Sequence, residues 1–247
     1  MKKILSIAVV ALLFASCAKE ELSFTSATYE KKSTLPCKEN CTAATLVVPV
    51  AENAGIVSDS INQTIFNTLR NIVYFGETPS NAKNYNELVD SFIGSYDEMK
   101  KKFPDETFGW EAKVKGSVKY ESDSIVNIEL EHYTFTGGAH GYSGLRSLIF
   151  NRETGKLIPN DQLFKDRNAF KAFAEQKFRA LYKIPSGPIN ATGLMFEDEK
   201  FHLPQNIFYT DKGLLLYYNL YEVASYADGA KEVLLSYDEV QPYLKTK

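Results

Sequence analysis

Residues 110–135 read WEAKVKGSVKYESDSIVNIELEHYTF, and the alternation within this run decides the fold class. Trp110, Ala112, Val114, Gly116, Val118 and Tyr120 alternate with charged and small polar residues. After a polar break, Ile125, Asn127 and Glu129 fall on one side of a second run and Val126, Ile128 and Leu130 on the other. Successive side chains of a strand point to opposite faces, so this spacing predicts antiparallel strands with one packed face and one polar face. Leu145 to Asn151 is a third such run, closed by the turn Glu153-Thr154-Gly155-Lys156.

The flanking segments supply the covering layer. Leu46, Val47, Val48 and Val50 read as a strand from about Thr45, with Pro49 marking an edge because it lacks an N–H for the ladder. Ser58 or Asp59 then caps a helix whose apolar residues Ile61, Ile65, Phe66, Leu69, Ile72 and Val73 recur at helical spacing. The same period runs from Asn84 to Lys102 through Leu88, Phe92, Ile93, Tyr96 and Met99, and Pro104 stops it. Two amphipathic helices must each bury a stripe, and a sheet is their natural cover. Downstream, a helix from Arg167 to Tyr182 is followed by a Pro- and Gly-containing loop and a hairpin across Asp211-Lys212-Gly213. The stretch from Leu214 to Tyr237 is two strands joined by a tyrosine-rich connection that ends in Asp228-Gly229. The order predicts an α+β fold, with antiparallel sheet packed on one side by amphipathic helices.

The start of the chain is read differently. Lys2 and Lys3 precede an apolar run from Ile4 to Phe14, followed by Ala15-Ser16-Cys17. That is the pattern of a lipoprotein signal peptide over residues 1–16, too short to span a bilayer. Cys17 would begin the mature chain and carry acyl chains such as palmitate on its amine and thiol, and two or more chains give stable anchoring. Ala18-Lys19-Glu20-Glu21 resembles the segment after the lipid cysteine in surface-exported lipoproteins of the Bacteroidetes, which implies an outer-membrane lipoprotein exposed at the cell surface. Residues 17–44, rich in Ser, Thr, Lys and Glu, read as a tether.

The net charge is −3, with both signs interspersed, so no extended basic face exists for a nucleic-acid partner. With Cys17 assigned to lipid, Cys37 and Cys41 form an even pair in an oxidising compartment, at a spacing that permits a disulfide. Two free thiols or a redox or metal pair are the alternatives, and no second Cys/His pair is spaced to complete a zinc site.

Two motifs carry a family resemblance. Tyr133 to Tyr142 reads YTFTGGAHGY, where Gly137, Gly138 and Gly141 permit a tight turn around His140; Thr154-Gly155-Lys156 follows, and Tyr218 to Gly229 reads YNLYEVASYADG. Together they resemble the extracellular domain of RsiV-type lysozyme-sensing anti-sigma factors, also found beside the catalytic module of PdaC-type peptidoglycan deacetylases. The resemblance divides the chain into an N-terminal half over 45–156 and a C-terminal half over 157–247. It implies an envelope binding module whose ligand is a lysozyme-like protein or a cell-wall glycan, with no cofactor.

His140, Tyr142, Tyr221, Glu222 and Tyr226 are the candidate ligand-binding residues, since tyrosine rings stack on sugars and hydroxyls, imidazole and carboxylate anchor polar groups. Each also has a structural reading, as a ring filling space under a loop or a polar group tied to backbone. No catalytic or metal-ligating residues are assigned. Gly141-Tyr142-Ser143-Gly144 lacks the spacing of a nucleophile elbow, and no histidine pair has metal spacing. The rival reading, an envelope glycan hydrolase or deacetylase, requires His140 and Glu222 to converge as acid and base. A structural component of a surface complex is the third.

Overall fold

The computed structural model describes residues 21–105 and 108–246. The signal peptide and Cys17 lie outside the described residues. Within them the fold is α+β, with eight strands in two sheets and four α-helices.

The larger sheet has the order β1-β2-β3-β4-β5, from β1 (Ser23–Lys32), β2 (Ala43–Glu52), β3 (Glu111–Glu121), β4 (Ile125–Phe135) and β5 (Tyr142–Asn151). All neighbours are antiparallel except β2 and β3, which run parallel. A parallel pair needs a long crossover, and α1 (Ile56–Arg70) and α2 (Tyr85–Lys102) provide it. The smaller sheet is the antiparallel meander β6 (Asn206–Thr210), β7 (Gly213–Tyr218) and β8 (Lys231–Ser236). It packs with α3 (Arg167–Leu181) and the short α4 (Tyr237–Val240).

Local chemistry sets the helix ends. The Asn84 side chain accepts from the Glu87 N–H at 2.9 Å, satisfying an amide that the first turn of α2 leaves open, and the Glu87 carboxylate reaches back to accept from the Lys83 N–H at 2.8 Å. Lys100, Lys101 and Lys102 close the same helix at its negative end. Asp166 caps α3 by accepting from Asn168 and Ala169 N–H. On α1 the cap is Gly55, with φ 52°, rather than Ser58 or Asp59; Ser58 sits inside the helix and its hydroxyl accepts from the Ala54 N–H.

Two cores lie on opposite faces of the large sheet. Val126, Ile128, Leu130, Leu148 and Phe150 meet α1 and α2 through Ile61, Ile65, Leu69, Leu88 and Phe92. Burying each such side chain contributes about 1.5–3 kcal/mol. Ile125 and Ile149 point the other way, into a core with Phe170, Phe178, Ile207, Tyr209, Leu216 and Tyr218 of the C-terminal half. The helices therefore cover one face, as the alternation predicts, but the face expected to be polar is half covered by the second sheet.

Two sequence expectations are corrected. Part of the tether expected over residues 17–44 is strand: Ser23 to Lys32 pairs residue by residue with Glu52 to Ala43. Its sequence, SFTSATYEKK, has little apolar content, and its pairing rests on the backbone ladder, on Phe24 and Ala27 packed against the core and on Tyr29 stacking against Tyr85 at 4.8 Å. That pairing also makes β2 interior rather than an edge. Pro49 is tolerated because the β2–β3 pairing ends at Val47 and Lys115, beyond which the missing N–H breaks no ladder on that side.

Candidate functional site

The turn between β4 and β5 is built for close approach. Gly137 and Gly138 have φ 107° and 91°, a region glycine alone enters at little cost. At Gly141 a Cβ would stand 2.5 Å from the Tyr133 ring, so glycine is required for that ring to lie on the backbone. His140 is thrust to the surface between them. Its Nδ1 lies 3.0 Å from the Gly141 carbonyl oxygen. A carbonyl only accepts, so Nδ1 carries the hydrogen and, in the neutral ring, Nε2 accepts from the Tyr221 hydroxyl at 3.3 Å.

Tyr221 and Tyr226 arrive from the C-terminal half on the loop between β7 and β8. The His140 ring stacks on Tyr226 at 4.0 Å and 19° between planes, and Tyr221 lies 5.6 Å from Tyr226. Tyr221, with φ 65°, is 54% exposed and Tyr226 37%. The two motifs of the sequence thus form one surface, with three of the five candidate residues in a ring cluster.

The other two stand behind it. Glu222 accepts from the Gln205 N–H with Oε1 and from the Asn219 N–H with Oε2, both at 2.8 Å, so its carboxylate fixes the loop. Asn219 in turn holds the loop to the sheet, accepting from the Leu145 N–H at 2.8 Å and donating to the Leu145 carbonyl at 3.0 Å. Tyr142 is half-buried and faces His132, with ring centroids 5.8 Å apart; burial, then the nearby Glu222 carboxylate, pushes its phenol up. His132 is buried against Gly144, and its Nδ1 finds no hydrogen-bond partner among the described residues. Burial, reinforced by Arg146, lowers its pKa to about 4.

Beside the ring cluster opens a recess of about 370 Å³, lined by Asn40, Phe108, Trp110, Tyr133, Phe135 and His140 among others. Phe108, 54% exposed, meets Phe135 edge-on at 6.3 Å. Cys37 and Cys41 are joined by a disulfide with Cα atoms 5.5 Å apart. The loop it closes rests on Gly109, where a Cβ would stand 1.8 Å from the Asn40 carbonyl oxygen. Sequence reasoning missed Asn40, Phe108 and Phe135 because they come from three segments that only the sheet register brings together. The glycine before Trp110 was the available signal, since a glycine beside a bulky aromatic marks close backbone approach.

The recess and ring cluster together present aromatic faces, hydroxyls and an imidazole around a surface depression. Such an array can stack on a planar or pyranose ring and hydrogen-bond its substituents. Among the described residues no group of three or more His, Cys, Asp or Glu side chains gathers in a metal-ligating arrangement.

Two family models match the chain. Residues 35–143 match the family model described as Deacetylase PdaC, and residues 161–238 match the one described as Protein of unknown function (DUF3298). Both fit the resemblance to RsiV-type domains. A DUF3298 family protein from Bacteroides fragilis superposes with a TM-score of 0.67 at 17% identity, covering 92% of this chain and 95% of that one. One from Pseudomonas aeruginosa PAO1 gives 0.67 at 19% identity, covering 92% and 96%. At these identities the likeness establishes the fold. No curated protein matches.

Proposed function

We propose that this chain, which joins a PdaC-like segment to a DUF3298 segment, is a non-catalytic binding module held at the outer membrane by lipid on Cys17. Its ligand is a cell-wall glycan, taken by the exposed cluster of His140, Tyr221 and Tyr226 and the adjoining recess. The observation that carries this reading is the stacking of His140 on Tyr226 at 4.0 Å, which sets rings from both halves of the chain side by side at the surface. The position of Glu222 supports a binding role over the hydrolase or deacetylase alternative. An acid–base pair would need its carboxylate free beside His140, whereas both oxygens accept backbone amides.

The test is calorimetry on the soluble domain lacking Cys17, titrated with peptidoglycan fragments and, separately, with a lysozyme. Saturable glycan binding that falls at least tenfold in Tyr226→Ala supports the proposal. Binding to lysozyme alone replaces the glycan with a protein ligand at the same surface. Absence of binding in both titrations, or glycan turnover by the intact domain, overturns it.

A further inference from the structure

We infer that the end of the molecule holding Leu22, Ile56 and Leu157 rests on the lipid surface in which Cys17 is anchored, and that the aromatic site faces away from it. The inference rests on the anchoring part of the preceding proposal and goes beyond it.

The strand register defines two ends of the large sheet. Ser23 lies opposite Glu52 at one end, where β4 begins at Ile125 opposite Asn151. At the other end Ala43 pairs with Glu111, Glu111 with Phe135, and Thr134 with Tyr142. The disulfide loop, the Gly137–Gly141 turn, the recess and the ring cluster all belong to this second end. The ten residues of β1 separate the two ends by about 30 Å, at roughly 3.4 Å of rise per residue.

Cys17 stands only six residues before Ser23. Six residues reach at most about 20 Å even when fully extended. Standing the domain on its aromatic end would lift Ser23 about 30 Å from the bilayer, farther than that span allows. The inverted placement is therefore excluded by chain length alone. Anchored through Cys17, the domain cannot stand on its aromatic end, and standing on its Ser23 end sets the site about 30 Å from the lipid.

The Ser23 end carries the apolar groups such a placement would use. Ile56 opens α1 and is 85% exposed, although nothing in the fold requires an isoleucine in solvent there. The turn carrying Gly155 packs on the first turn of α1, with the Ser60 hydroxyl donating to the Gly155 carbonyl at 2.9 Å, and brings 43%-exposed Leu157 to the same end. Arg152 stands among Glu21, Asp123 and Glu153 and pairs with Glu121 at 2.9 Å, so this end is net acidic and suits a zwitterionic surface better than an anionic one.

Hydrogen exchange on the acylated chain in nanodiscs of the zwitterionic lipids phosphatidylethanolamine and phosphatidylcholine tests this, with the unlipidated chain starting at Ala18 as reference. Exchange slowed at least threefold over 56–60 and 153–157, and unchanged over 137–141 and 221–229, is the expected result. Ile56→Asp should reverse that slowing while leaving the fold intact, because an acidic residue suits the first turn of a helix. Slowing over 137–141 or 221–229, or none in any segment, overturns the inference while leaving ligand binding to its own calorimetric test. The mass of the N-terminal peptide in the same samples separates the remaining case: an unacylated Cys17 removes the anchoring reading and this inference with it.

Discussion

The side-chain amide of Asn219 bonds both backbone groups of Leu145, accepting its N–H at 2.8 Å and donating to its carbonyl at 3.0 Å, as a neighbouring strand would. Leu145 lies on the outer edge of β5, the last strand of the large sheet. Two residues on, the Ser147 N–H donates to Asn206 Oδ1 at 3.0 Å. The C-terminal half thus finishes an open sheet edge with carboxamides instead of a strand, and the loop bearing Tyr221 and Tyr226 starts from one of them.

Asn219→Asp should therefore destabilise the protein by about 1–3 kcal/mol, because a carboxylate cannot donate to the Leu145 carbonyl and is set against it. A lower urea midpoint with unchanged slope is the expected readout, accompanied by faster exchange over 219–229. An unchanged midpoint would mean that water replaces the carboxamide without loss.

Asn127 carries more. It is fully buried on the β4 face turned to the second sheet, where Oδ1 accepts from the Tyr209 N–H at 2.8 Å and Nδ2 donates to Ser147 Oγ at 2.9 Å. Ser147 passes the chain on to the Ile207 carbonyl at 2.6 Å. Asn127→Leu preserves size but orphans the Tyr209 amide of β6, and should cost about 2–4 kcal/mol. Thermal unfolding is the readout, and an unchanged midpoint would mean that the Tyr209 amide finds another acceptor.

His132 predicts a pH dependence. Its folded pKa of about 4 lies below the unperturbed 6.5, so the unfolded chain binds more protons between those values. Its contribution is fully present above about pH 6.5 and is lost as the pH falls toward 4, amounting to roughly 3 kcal/mol at most. His132→Phe should flatten that part of the stability profile, measured by urea midpoints from pH 7 to pH 4.

Glu222→Gln distinguishes a loop-fixing carboxylate from a ligand contact. Glutamine offers one acceptor oxygen in place of two, so either Gln205 or Asn219 loses its partner, at a cost of about 1.5–3 kcal/mol. Exchange over 219–229 should accelerate in the free protein. Weakened ligand binding with no change in free-state exchange would instead return Glu222 to the binding surface.

Gly141→Ala tests the seat of Tyr133. The new Cβ would fall 2.5 Å from a ring that can swing away, so the cost should stay near 1–3 kcal/mol. Because the moved ring lines the recess, glycan affinity should fall too. Tyr133→Leu in the same chain should recover stability and fail to recover affinity, with calorimetry and thermal melts as the two readouts.

Local chemistry was legible in the sequence wherever one segment determines its own state. Asn84 and the apolar spacing behind it define α2, and alternation defines β3 and β4. The glycine-rich turn and the tyrosine-rich loop stood out as the two motifs that now share a surface. What the sequence left open depends on pairing at a distance. SFTSATYEKK reads as a tether because its apolar residues are few, and only the ladder to β2 and the seats of Phe24, Ala27 and Tyr29 on the core make it a strand. Asn127 read as one more polar residue on a solvated face, and only the second sheet laid over it makes it a buried junction. Glu222 read as anchor or ligand group, and only the folded chain aims the Gln205 and Asn219 amides at its oxygens. The recess beside His140 has no sequence pattern at all, since Asn40, Phe108 and Phe135 meet through sheet register. Sequence by itself determined which segments form the helices and most of the strands, because capping and periodicity act within a few residues. The tertiary structure alone decided which polar groups are structural and which face outward, because burial and hydrogen-bond satisfaction belong to the packed whole.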